Sequence, residues 1–419
     1  MAFTTQDVGI IRSLAKRVAE IAALPVQQER RELWASINRL ERVRPLIHVQ
    51  AISWDIWEEL LPKAQLQTTD PFCQAQETAL RRCIYCWEHF QDDRVVDDVV
   101  RCPLAIRGEA QSVNFGIPRK MDRSTETSGA HAYVPVIVEE RDIDRIDTEP
   151  VVTVDWDDTE RRYQLLLELY GGILRVEKRG TEFFWFQPVD QFITRRGIQQ
   201  TFIDMIDRPK WVHAGLERMT AAYLSSIKQI EALGALSLGN GNTMLGSGGY
   251  GWTAQLPKPG FDGQHVRLKD LWARAATQLF TEGISPAMHD EFALHYEKQL
   301  LAPFGLSCYG CCEPLDMKMD IVRQIPNLRR VSMSPWVDVE KGAERIGQDL
   351  VFSRKPSPAL LAVEDWDPAA VEKDLSETLD ACKRHGCPVE LILKDISTVR
   401  YEPQRLWEWA DVAMRVSGA

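Results

Sequence analysis

No stretch of this 419-residue chain reaches the roughly 18 consecutive apolar residues that a membrane-spanning helix requires. The opening MAFTTQDVGIIRSLAKRVAE has no uninterrupted apolar run before a small-residue cleavage site, so it does not read as a secretory signal. Positive charge is short: 50 Lys and Arg face 61 Asp and Glu, a net charge of -11. A nucleic-acid backbone and an anionic membrane both demand a basic face, so neither is expected as the main partner. The nine cysteines are an odd number and lack the doubled CxxC pattern of a structural zinc site. They read as thiols rather than a disulfide framework, and the expected location is cytoplasmic. The Gly-rich run ALSLGNGNTMLGSGGYGW lacks the Lys-Ser/Thr of a P-loop and opens no helix, so nucleotide binding is not expected there.

What remains is a globular composition, 44% apolar and 26% charged, with 13 Trp. Residues 6–43 carry apolar positions at helical spacing (Ile10, Ile11, Leu14, Val18, Ile21) and form an N-terminal helical segment, 1–43. RPLIHVQAISW reads as a strand, and 74–92 as a helix. The stretch 101–200 is β-rich, with one helix at ERRYQLLLELYG, and reads as an insertion. From Pro209 on, Val212, Leu216, Met219, Tyr223, Ile227 and Ile230 make one helical stripe. After residue 285 strands and helices alternate regularly: FGLSC, LRRVSMS, DLVFS and PVELIL, each followed by a helix. Such βα units give parallel strands under covering helices. The expected architecture is therefore α/β, a (β/α)8 TIM barrel over 44–419 carrying the 101–200 insertion.

A parallel sheet shows its functional loops at the C-terminal ends of its strands. Those ends carry Ser53-Trp54-Asp55, Asn240 and Asn242, Tyr309-Gly310-Cys311-Cys312-Glu313, Trp336 and Asp338, Arg354-Lys355, and Lys394-Asp395. Thiols, carboxylates and cations converging on one mouth have the composition of an active site. Cys308-x-x-Cys311-Cys312-Glu313 is the densest piece. A thiolate there serves either as a nucleophile or as a zinc ligand, and on an extended backbone Cys311 and Cys312 would face opposite ways. Cys83 and Cys86, in a helix, read as core; His48 as a satisfied interior histidine; His289 and His295 as helix-surface or capping residues.

FIDMIDRPKWVHAGLERMTAAYLSSIKQIEALGA, ISPAMHDEFALHYEKQLLAPFGL and DLVFSRKPSPALL resemble segments of the uroporphyrinogen decarboxylase superfamily, which includes zinc-dependent cobamide methyltransferases. The resemblance covers 200–416 well and 30–100 loosely. It implies the uroporphyrinogen decarboxylase type of barrel, a homodimer, and a site at the strand ends. Tyr309-Gly310-Cys311 stands where the methyltransferases have His-x-Cys, and Lys394-Asp395 stands where they have a further Cys. Cys311 thus carries over as a ligand for zinc or another divalent transition metal, with Glu313 and Asp395 as oxygen ligands. The leading expectation is transfer of a methyl or other alkyl group from a small molecule to an activated acceptor, a folate or a corrinoid protein. Cys311, Glu313, Asp395 and Lys394 would do the chemistry, and Trp54, Asn240, Asn242, Tyr309, Trp336, Asp338, Arg354 and Lys355 would line the substrate site. The alternatives are a metal-free decarboxylase or lyase acting on a small carboxylated substrate, and a non-catalytic small-molecule-binding protein.

Overall fold

The computed structural model describes residues 3–50, 52–109, 115–122 and 132–418, excluding the side chains of Trp54 and Asp55. Seven strands form one parallel sheet: Leu46–Val49, Phe183–Phe186, Trp272–Ala275, Leu306–Tyr309, Leu328–Met333, Val351–Arg354 and Val389–Leu393. From Phe183–Phe186 onward each strand pairs with the next in sequence, and Leu46–Val49 then pairs with Val389–Leu393. This is the cyclic order of a barrel. Among the described residues, however, the two end strands Leu46–Val49 and Phe183–Phe186 do not pair. The observed architecture is an α/β fold with a seven-stranded parallel sheet, without the lacing that would close a (β/α)8 barrel.

The Gly-rich segment explains the open seam. Gly246 accepts a hydrogen bond from the Gln50 amide, next after the first strand, and a Cβ on Gly246 would lie 2.5 Å from the Trp185 ring on the other end strand. The segment therefore touches both unpaired strands. It also crosses the inside of the sheet, where a Cβ at Gly248 would meet Arg274 and Arg330, and one at Gly249 would meet Trp34 at 2.0 Å. Glycine is required there by close approach.

The inside of the sheet is ionic. Arg330 and Glu390, both fully buried, lie 3.2 Å apart. Arg330 also donates to Asn38 Oδ1 at 2.6 Å, while Glu390 accepts from Ser353 Oγ and from the Gly249 N–H. Arg274 donates to the carbonyls of Leu245 (2.9 Å) and Gly310 (2.6 Å) and to Ser332 Oγ (3.0 Å). Buried charges persist only when paired and hydrogen-bonded in this way.

The helical stripe expected from Val212 to Ile230 is buried along the Pro209–Ala232 helix, and the apolar face packs on the sheet. At the N-terminus two helices form, Thr5–Ala22 and Pro25–Asn38, with the break at Pro25. The first packs Ile11, Val18 and Ile21 against Leu80, Leu166 and Leu169 in a satellite core. The second brings Trp34 and Asn38 under the sheet, where Asn38 Nδ2 donates to the carbonyls of Tyr250 and Trp252 at 2.9 Å. Within 101–200, small strand pairs join Val99–Pro103 to Arg175–Arg179 and Ala105–Arg107 to Thr153–Asp155. Phe183–Phe186, which composition grouped with this insertion, is instead an edge strand of the large sheet. No described helix is long and apolar enough to cross a membrane.

Two substitutions probe the ionic interior. Glu390→Ala strands Arg330 without its carboxylate and is expected to cost about 3–5 kcal/mol in urea unfolding. Gly249→Ala puts a methyl group into the Trp34 ring and is expected to lower the midpoint as well, whereas Gly283→Ala, whose Cβ meets nothing and whose φ lies outside the left-handed region, gives a much smaller loss.

Candidate active site

Two strand ends build the site. Leu306–Tyr309 ends at Gly310, whose φ of 85° turns the chain, and Cys311 follows. Val389–Leu393 ends at Lys394, and Asp395 takes a left-handed φ of 57°, uncommon outside glycine. These turns bring four groups together. Lys394 Nζ lies 3.5 Å from Cys311 Sγ and 3.3 Å from Cys312 Sγ, and it is hydrogen-bonded to Asp395 Oδ2. The two sulfurs are 3.5 Å apart. Cys312 also approaches Asp395 Oδ2 (3.8 Å) and Gln278 Oε1 (3.7 Å). The opposite-facing thiols expected of an extended backbone are thus not seen. The chain is bent after Gly310, and both sulfurs meet one ammonium.

The electrostatics follow from the geometry. The hydrogen bond between the two sulfurs, working against burial and joined by the Lys394 charge, draws the Cys311 thiol down to about 6. Cys312 is pushed up, first by that same bond and then by burial. Burial opposes the charge on Lys394, yet Cys311, Cys312 and Asp395 together hold its pKa above the ordinary lysine value. This cluster favours the ionised form of Cys311 and the charged form of Lys394.

Cys311, Lys394 and Asp395 open onto a cavity of about 350 Å³ whose other walls are Gln50, Trp185, Gln187, Gly246, Ser247 and Gln278. Three of these walls carry buried polar atoms with no protein partner: Gln50 Oε1, Trp185 Nε1 and Ser247 Oγ. Buried polar atoms are ordinarily satisfied, so an acceptor, a donor and a hydroxyl left open around one cavity are what a small polar ligand would fill.

Sequence reasoning missed these walls for definite reasons. Gln50 directly follows the first strand, which ends at Val49 rather than at Trp54. Trp185 and Gln187 belong to or follow a strand that composition assigned to the insertion. Gly246 and Ser247 come from the Gly-rich segment, which sequence pattern tests only as a nucleotide loop and not as a cavity wall.

The remaining expected residues are placed elsewhere. Glu313 is fully buried, and its carboxylate accepts the N–H of Cys311 (2.8 Å) and of Thr277 (3.2 Å); it fixes the loop instead of facing the thiols. Tyr309 is buried between Glu297 and His289, 2.7 Å from each. His289 is thus interior, not a helix-surface residue, and burial takes it down to about 3. Arg354 is buried and faces Asp374 at 3.5 Å. Lys355 donates to Ser353 behind the site, and burial drives it well below the usual lysine value. Asn240 and Asn242 tie loops together through the carbonyls of Leu256 (2.8 Å) and Val95 (3.2 Å). Trp336 and Asp338 line a separate cavity of about 270 Å³. The side chain of Trp54 lies outside the described residues. His48, by contrast, is a buried histidine paired with Asp92 at 3.1 Å, as the strand pattern suggested.

A divalent metal on Cys311, Glu313 and Asp395 does not fit this donor set. Both Glu313 oxygens are taken by main-chain N–H groups, and the Lys394 ammonium already neutralises the sulfurs. Among the described residues no group of three or more His, Cys, Asp or Glu is arranged to hold a metal.

No protein-family model matches the sequence, and no curated protein matches it significantly. Among solved structures the chain is similar to a methyltransferase from Methanosarcina mazei. The two share 13% identity over 93% of this chain and 98% of that one, with a TM-score of 0.50. At that identity the likeness shows a common fold.

The thiolate makes a direct prediction. Iodoacetamide labelling of Cys311, followed by peptide mass mapping, is expected to rise with pH through about 6 and then level off. In Lys394→Met the midpoint should move up toward the ordinary cysteine range near about 8.5. An unshifted midpoint would show that the lysine does not stabilise the thiolate.

Proposed function

We propose that this chain is a methyltransferase-like enzyme that moves a methyl or other small alkyl group, with the Cys311 thiolate as nucleophile. The observation that carries the reading is the Cys311 thiol 3.5 Å from the Lys394 ammonium at the wall of a cavity sized for a small molecule. The shared fold with a methyltransferase supports it.

In the first step the Cys311 sulfur attacks the alkyl carbon of the donor. An S–C bond forms, the bond from that carbon to the leaving heteroatom breaks, and the heteroatom takes a proton from the Lys394 ammonium. In the second step a soft nucleophile attacks the same carbon, the S–C bond breaks and Cys311 leaves as a thiolate, while the proton the nucleophile gives up returns to Lys394. A thiol with a lowered pKa is ionised at neutral pH and also leaves more readily, so one electrostatic arrangement serves both steps. Gln50, Trp185 and Ser247 would hold the polar part of the donor through their open hydrogen-bonding atoms. In barrel terms the cyclic strand order puts this mouth at the C-terminal strand ends, and the Gly-rich segment would stand in for the missing lacing at the seam.

The metal-free decarboxylase or lyase remains the second reading, favoured by one feature: Lys394 is a cation inside a cavity with amide walls, suited to a substrate carboxylate.

A panel of small methylated thiols, amines and methoxyarenes, run beside small carboxylated compounds, separates the two. Under the first reading, one donor leaves a methyl group on the Cys311 peptide, and Cys311→Ser abolishes turnover. Lys394→Met lowers kcat by about a hundredfold or more, the range for loss of a general acid. Turnover of a carboxylated substrate with no alkylated Cys311, undiminished in Cys311→Ser, would overturn it.

A further inference from the structure

The transfer reading needs one sulfur at the cavity, and the site holds two. Cys312 Sγ lies 3.5 Å from Cys311 Sγ, is itself only partly buried, and shares the Lys394 ammonium at 3.3 Å. Asp395 and Gln278 approach Cys312 from two further sides. A second thiol adds nothing to a nucleophilic displacement at carbon. It does supply what a reactive thiolate beside open solvent otherwise lacks, a partner that can capture its first oxidation product.

We propose that Cys311 and Cys312 form a reversible oxidation site, in which a small peroxide converts the neighbouring thiols to a vicinal disulfide and so caps the nucleophile. The chemistry balances with the groups present. The Cys311 thiolate attacks one oxygen of hydrogen peroxide, the O–O bond breaks, and the departing hydroxide takes a proton from Lys394 and leaves as water. Cys311 is now a sulfenic acid. The neutral Lys394 amine accepts the Cys312 proton, and the Cys312 sulfur attacks the Cys311 sulfur. An S–S bond forms, and the sulfenic hydroxide leaves with the proton returned by Lys394 as a second water. Two sulfurs are oxidised, one peroxide is reduced, and Lys394 regains its missing proton from solvent.

The local backbone suits such a link. Cys311 and Cys312 lie in a bend outside any helix or strand, just after Gly310, so no ladder or helix bond resists the change. Adjacent Cα atoms are about 3.8 Å apart, closer than the roughly 4.4–6.8 Å of an ordinary disulfide. A link at that spacing is strained, and strained links are the readily reduced ones. The fold has a second close pair, Cys382 and Cys387, but they lie below the sheet against the Ala343 carbonyl and away from the cavity. They provide an internal control.

That the oxidised protein loses transfer activity rests on the functional reading above; that the pair forms does not. The test is therefore covalent. The full-length protein is treated with hydrogen peroxide, remaining thiols are alkylated, and peptides are mapped by mass before and after dithiothreitol. The expected result is a Cys311–Cys312 peptide lighter by two hydrogens, unalkylated, and restored by dithiothreitol, formed faster than any change at Cys382 or Cys387. Cys312→Ser should give no such peptide but a Cys311 sulfenic acid trapped by dimedone. Lys394→Met should slow the wild-type conversion by about tenfold or more, through loss of thiolate. Direct passage of wild-type Cys311 to sulfinic or sulfonic acid, pairing of Cys311 with a different cysteine, or no reaction at Cys311 would each overturn the proposal. Failure of the methyl-transfer assay alongside a clean vicinal disulfide would count against the enzyme reading alone.

Discussion

Arg274 is the side chain on which the rest of this architecture leans. It is fully buried on the Trp272–Ala275 strand, where hydrogen bonds from its Nε and Nη1 offset the loss of water while Nη2 finds no partner. It finds the carbonyl of Leu245 in the Gly-rich segment, the carbonyl of Gly310 at the turn before Cys311, and the hydroxyl of Ser332 two strands away. One cation therefore fixes the segment at the seam, the turn before Cys311, and the spacing of the strands between them. The Arg330–Glu390 pair does the same one layer over, linking Asn38 of the second helix to Gly249 and Ser353. Electrostatics inside the sheet thus decide where the Cys311 loop goes.

The site extends that logic outward. Below it, three carboxyl groups are buried close together. Burial lifts Asp190 to about 7 and Glu297 to about 8, with Glu313 adding to both, so negative charge is discouraged beneath the cavity floor. Asp190 accepts the N–H of Gln278 at 3.0 Å, and Glu313 accepts those of Thr277 and Cys311. The loop after Trp272–Ala275 and the loop after Leu306–Tyr309 are thereby fastened to each other through main-chain N–H groups. Lys394 then arrives from a third strand as the compensating cation for the thiolate. A transition metal would ordinarily serve as the charge partner of a ligating thiolate; here a side chain occupies that role.

Much of the fold could be read from residue order. The regular alternation after Ser285 gave the last four strands to within two residues, and the Val212–Ile230 stripe gave the longest helix. The strand-end rule brought Cys311, Lys394 and Asp395 into one place because parallel strands point their C-terminal ends the same way. It failed for Arg354, Lys355 and Tyr309. These lie on or directly after equally polar strand ends but turn inward, where Asp374, Ser353 and Glu297 satisfy them. Sequence pattern marks which residues sit at a strand end, not which of two faces an adjacent residue takes once the backbone leaves the strand. The (β/α)8 expectation had the parallel βα order, but the sheet has seven strands and does not close among the described residues; a segment of glycines lies against the end-strand residue Trp185, and no periodicity reports that. Asp395 in a left-handed conformation and the bend after Gly310 were equally invisible, since both are imposed by tertiary contacts.

The ionic interior has a consequence for how the molecule comes together. Its members are distant in sequence: Asn38 and Arg330 are separated by 292 positions, Gly249 and Glu390 by 141. Non-local contacts of this kind are entropically expensive to form early. During synthesis Arg330 emerges well before Glu390, so until the last strand docks it has no carboxylate partner in the interior. Gly249 of the Gly-rich segment likewise gains its Glu390 contact only then. Lys394 follows on that same strand, so an incompletely synthesised chain would carry Cys311 and Cys312 without the ammonium that faces them.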